Sequence, residues 1–159
     1  MIERTKWVAA LTTQPTDKLM AVIADVSSNW TIRPKSLPQS GLGMLKLNDS
    51  AFEDAFYLGE FPLSSAWVEI RTTEGLIAEG AAQVMDDRVD VAEALALCDA
   101  VLSAQLPGWE TIARLVEEGV ATREATRQDR KQILASTQVN FSLLDDVSGD
   151  DVGDDDAES

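Results

Sequence analysis

Apolar positions recur at helical spacing near both ends of the chain and alternate in twos between them. From Glu3 to about Thr13, Trp7, Val8 and Leu11 fall on one helical face. Pro15 ends that run, because proline cannot continue a helix interior. Thr16 stands where it can cap a second helix, whose apolar positions Leu19, Met20, Ile23 and Val26 keep helical spacing. From Trp30 to Met85 the pattern changes. Trp30 to Arg33 is β-like, and Pro34 and Pro38 keep its continuation on an edge or in a loop. After a turn at Ser40-Gly41 come two strand-like runs, Leu42 to Leu47 and Ala55 to Phe61. The clearest strand is Ala66 to Thr72, where Ala66, Val68 and Ile70 alternate with Trp67, Glu69 and Arg71. Thr73-Glu74-Gly75 turns the chain, and Leu76 to Met85 returns. The pattern predicts an α+β fold: a mostly antiparallel sheet of four to five strands, packed with N-terminal helices and a long C-terminal helical region.

Two further helices complete the expectation. Asp90 can cap the first, with Glu93 as its capping-box partner. One stripe along that helix carries Val91, Ala94, Leu95, Cys98, Val101, Leu102 and Gln105, and Leu106-Pro107-Gly108 ends it. The second runs from Trp109 to about Thr137, with Ile112, Leu115, Val116 and Val120 as its buried positions. Its middle, Ala121 to Gln132, is almost wholly polar, which its own core does not explain. It is expected to serve a partner or to cross between subunits. Arg123, Arg127, Arg130 and Lys131 share one face there, as a patch for an acidic partner surface or phosphorylated ligand, or as a solvated face relieved by Glu124 and Asp129.

Composition narrows the chemistry. With 159 residues, 45% hydrophobic and 26% charged, the chain fits one domain of ordinary size. We assign residues 1–144 to that domain. The net charge is -15, and eight acids without a base lie between Asp145 and Ser159. That tail, residues 145–159, is expected to be disordered through self-repulsion and lack of anything to bury. The acidic field disfavours nucleic acid, and no apolar run reaches the roughly 18 residues that span a bilayer. Met1-Ile2-Glu3-Arg4 lacks the basic start of a secretory signal, and the single cysteine suits a reducing compartment. Cytoplasm is therefore the expected location. There is no histidine, which removes the commonest general base, the commonest metal ligand and every Ser-His or Cys-His pair.

Other candidate motifs read blandly. Gly41-Leu42-Gly43 is too short to cradle phosphate and reads as a plain turn. Cys98 lies in an apolar stripe with no basic neighbour, as a buried core thiol does. The acidic tail fails the EF-hand register, because Asp150 or Asp151 falls where glycine is needed. Glu53, Asp54 and Glu60 flank Phe56-Tyr57 and read as solvated strand ends rather than an acid/base pair. No catalytic residue and no metal site are assigned.

Three ordered segments carry a family resemblance. Phe56-Tyr57-Leu58-Gly59-Glu60, continuing through Phe61-Pro62-Leu63-Ser64-Ser65-Ala66-Trp67-Val68, resembles the F-x-x-G-E/D…L-T-R-A-x-V block of the PhnG family. Ala92 to Ala100 is similar to that family's A-E-x-x-A-L-x-D-A helix, and Ser136 to Phe141 to its closing segment. Arg4-Thr5-Lys6-Trp7 and Ser40-Gly41-Leu42 fit as well, so the resemblance covers about Arg4 to Asp145. The chain departs from the pattern at Ser64-Ser65, where the family has Thr-Arg. It departs again at Asp86-Asp87-Arg88, against Gly-Arg-Asp, and at Asp145-Asp146, against Arg-Gly. The resemblance implies an accessory subunit of the bacterial carbon–phosphorus lyase core complex. That complex transfers a phosphonate onto the ribose of ATP with release of adenine, giving ribose 1-phosphonate 5-triphosphate. It implies companion subunits of the I, H and J types, two copies of this chain per complex, and an ATPase-like L protein alongside. Catalytic residues are expected mainly on the I-type chain, with ATP and Mg handled by the complex and no cofactor on this chain. Arg123, Arg127, Arg130 and Lys131, with Val139, Asn140 and Phe141, are the expected partner interface. The alternative is a stand-alone homodimeric scaffold or regulator. An independent nucleotide-binding enzyme is disfavoured by the missing phosphate loop, metal ligands and histidine.

Overall fold

Small side chains let one helix lie directly on a sheet at the centre of this protein. The computed structural model describes residues 2–136. A 3-10 turn, Arg4–Lys6, leads into α1, Trp7–Leu11, and α2, Thr16–Val26. Three strands follow, β1 Thr31–Asn48, β2 Ala55–Arg71 and β3 Ile77–Val84, then α3 Val89–Ser103 and α4 Trp109–Ser136. Residues 1–124 form one compact unit and residues 125–159 a second, of which the last turns of α4 are described.

The sheet is antiparallel in the order β1-β2-β3, so the fold is α+β with three strands among the described residues, not four or five. The two readings differ at the breakers. Pro34, Pro38 and Ser40-Gly41 do not end a strand: β1 passes them by register shifts between Pro34 and Ser36 and between Ser36 and Gln39. Bulges at an edge absorb residues that cannot pair. The runs from Thr31 and from Leu42 are therefore one strand, as are those from Ala55 and Ala66. Gly41-Leu42-Gly43 lies within β1 opposite Leu63, Pro62 and Phe61, and is not a turn.

The alternation read in β2 holds. Ala66, Val68 and Ile70 are buried, whereas Trp67 is exposed. Above them lies α3, buried on nearly every side by Val91, Ala92, Ala94, Leu95, Ala96, Cys98, Ala100, Val101 and Leu102. Its apolar positions form more than the expected stripe, because it has the sheet on one side and α1 and α2 on another. Gln105 lies past the helix end, exposed and at φ 50. Gly80 of β3 has no room for a Cβ, which would meet the backbone of Ala96 and Ala100. Gly119 of α4 does the same against the Ala10 carbonyl of α1.

Two expected caps are absent. α3 begins at Val89 after Arg88, and no side chain caps it, so Asp90 and Glu93 sit inside the helix. Thr16 is the first residue of α2, and Pro15 stands at the cap without a side-chain bond. In α4, Ile112, Leu115, Val116 and Gly119 are buried and Val120 half-buried.

Candidate functional site

Strand β2 is seventeen residues long, but β3 pairs only with its Ser64–Arg71 portion. Over Ala55–Leu63 its sole described neighbour is β1, from Gly41 to Asn48. The two form a ribbon beyond the part of the sheet that α3 covers. A two-stranded ribbon is marginal in water, and exposed apolar patches mark interaction surfaces. This arm is rich in such groups: Leu42 is 70% exposed, Met44 60%, Tyr57 61% and Leu58 64%.

Register assigns the side chains to faces. Gly43 faces Phe61, Leu45 faces Gly59 and Leu47 faces Phe56. These lie on the same side as Trp67 at the base of β2. The Phe61 ring covers Gly43, whose added Cβ would stand 2.6 Å from the ring tip. The opposite face carries Leu42, Met44 and Lys46 opposite Pro62, Glu60 and Tyr57. Leu58 is the extra residue of a bulge between those registers. At the tip, the Asp49 carboxylate accepts the amides of Ala51 at 2.6 Å and Phe52 at 3.0 Å, and these bonds hold its pKa below the usual range. Glu53 takes φ 57 in this turn, and Glu53, Asp54 and Glu60 are exposed, as expected of solvated acids.

An ion pair between the exposed Arg4 and the buried Asp99 ties the N-terminus to the sheet. Asp99 of α3 accepts Arg4 Nε at 2.8 Å and a second guanidinium nitrogen at 2.5 Å. The Ala81 amide of β3 donates to the same carboxylate at 3.0 Å. Arg4 and Asp99 belong to two of the segments that carry the family resemblance. Two departures from that pattern also meet: the buried Ser64 hydroxyl donates to the Asp86 carbonyl at 2.7 Å. The Asp86 carboxylate accepts Arg88, which pulls its pKa down to about 2.

The basic residues singled out in α4 are all exposed. Arg123 donates to the Ala9 carbonyl at 3.2 Å and so helps seat α1. Arg127, Arg130 and Lys131 make no ion pair with another described residue. Val139, Asn140 and Phe141, like the acidic tail, lie outside the described residues. Cys98 is fully buried, and burial pushes its thiol up to about 12. Among the described residues, no group of three or more His, Cys, Asp or Glu side chains is placed to hold a metal ion, and no helix is long and apolar enough to cross a membrane. An apolar cleft of about 320 Å³ lies among Ile2, Trp7, Leu102, Trp109, Val116 and Glu117.

The arm is the feature that sequence reasoning missed. Its signal was present as apolar residues on both faces, but such runs also describe a strand buried on both sides. The family model for phosphonate metabolism protein PhnG matches residues 2–145. No curated protein matches the chain.

Proposed function

The chain belongs to the PhnG family, and on that premise we propose that it works as an accessory subunit of a carbon–phosphorus lyase complex in phosphonate catabolism. In this reading the complex transfers a phosphonate to the ribose of ATP and releases adenine. The reacting groups, ATP and Mg belong to the assembly, mainly to its I-type subunit. H-type and J-type subunits complete it, with two copies of this chain in the cytoplasm.

The observation that carries the reading is the family match over residues 2–145. The exposed arm supports it, because apolar area of that kind gains most from a partner surface. The absence of histidine supports it too, since a chain asked for little chemistry can do without one. Arg127, Arg130 and Lys131 are a second proposed contact, together with residues 139–141.

Co-expression with the I-type subunit tests the proposal. Co-elution on size exclusion at micromolar concentration is the expected result, with no ATP turnover by the purified chain alone. Separate elution would count against it and return weight to a stand-alone homodimer. Charge reversal at Arg127 and Arg130 together is expected to weaken assembly more than it lowers the melting temperature.

A further inference from the structure

The arm's edges and its faces point to different modes of contact. Ala81 sends its amide to Asp99, away from β2, so Trp67 opposite it turns its own N–H and C=O toward β1. Successive residues of a strand alternate in this respect. Leu63 and Phe61 thus also bond toward β1, while Pro62 and Glu60 turn toward the side where β3 has ended. Pro62 has no N–H to offer there, and the Leu58 bulge breaks the edge two residues beyond Glu60. The same alternation turns the nitrogen of Pro34, opposite Val68, to the outer edge of β1, and Pro38 falls where that strand's register shifts. Asp99 itself occupies the amide at the middle of the β3 edge. The free edge of β2, the first part of β1 and the β3 edge are therefore interrupted against strand addition, whereas the outer edge of β1 from Gln39 to Leu45 runs without a break.

The faces carry no such protection. One presents Leu45, Leu47 and Phe56 and the other Leu42, Met44 and Tyr57, all exposed. From Gly41 to Leu63 the arm has four acids, Asp49, Glu53, Asp54 and Glu60, against the single base Lys46. We propose that the arm inserts into an apolar groove of the companion subunit that closes over both of its faces, with basic groups around the acidic tip. This rests on the accessory-subunit reading and adds its mode of contact. A partner of that chemistry matches the apolar faces by burial and the acids by charge.

The test uses the full chain co-expressed with the I-type subunit. Leu45→Asp alters one face, Met44→Asp the other and Pro62→Val the edge. Each face variant is expected to lower the amount retained on the partner at least tenfold, and the edge variant to stay within twofold. Unchanged melting of the free variants verifies that both still fold. Amide hydrogen exchange of the unmodified chain in the complex is expected to show protection along both arm strands. Loss from only one face variant overturns the enclosing groove, and several-fold tighter retention of Pro62→Val overturns it in favour of strand addition. A dimer of this chain alone that either face variant converts to monomer overturns it in favour of a second copy. An unmodified chain that never joins the I-type subunit removes the parent reading and this proposal together.

Discussion

One strand lives in two environments. From Ser64 to Arg71, β2 has a strand on each side and α3 above, and its inward side chains are buried. From Ala55 to Leu63 it has β1 alone, and side chains of equal apolarity stand in solvent. Sequence character barely changes along it: Phe56, Leu58 and Phe61 are as apolar as Ala66, Val68 and Ile70. What differs is the neighbour. The chain supplies a cover for one half through the small residues of α3 and Gly80, and none of its described residues covers the other. Apolar content thus reports a need for contact, and topology decides whether the contact is internal.

The difference can be broken from the base first. Ile70→Ala removes a fully buried side chain and is expected to cost about 2–5 kcal/mol in urea unfolding. Gly80→Ala drives a methyl into the backbone of α3, which cannot rotate away, and should cost about 1–3 kcal/mol. Asp99→Ala leaves the Ala81 amide unpaired while the exposed Arg4 returns to water, so a loss of about 1–2 kcal/mol is expected. Smaller still is an acid effect at Asp86. Its folded pKa of about 2 lies below the ordinary 3.8, so its contribution is complete above the ordinary value and fades as pH falls toward 2. Asp86→Asn should flatten that part of the stability profile. The smallest effect belongs to the arm: Leu45→Ser in the free chain should change unfolding by less than about 0.5 kcal/mol. A loss at Leu45 as large as that at Ile70 would mean the arm is covered within the chain after all.

Much of the base was legible in the chain's pattern. The alternation around Val68, the apolar helix through Leu95 and Val101 and the proline stop before Thr16 each follow from local geometry. The family resemblance ran along β2 and α3, and the match over residues 2–145 bears it out. Strand number was misjudged because proline breaks a strand only where its missing N–H is needed, and glycine does not by itself end one. Here Pro34 and Pro62 fall where alternation turns that nitrogen away from any partner strand. The Arg4–Asp99 pair was not legible, since it joins residues 95 apart and no local period links them. The arm escaped because a run apolar on both faces is written alike for a central strand and for an exposed ribbon.

The uncovered arm also bears on how such a chain must be made. Until its faces are occupied, each newly synthesised copy displays what chaperones recognise and what aggregates at micromolar concentration. The negative charge of the chain slows self-encounter but does not remove the exposed area. Copies in excess of their partner are thus the ones most open to triage by proteases. On the docking proposed for the arm, supply of this polypeptide in step with its partner becomes a physical requirement written into nine residues of one strand and eight of another.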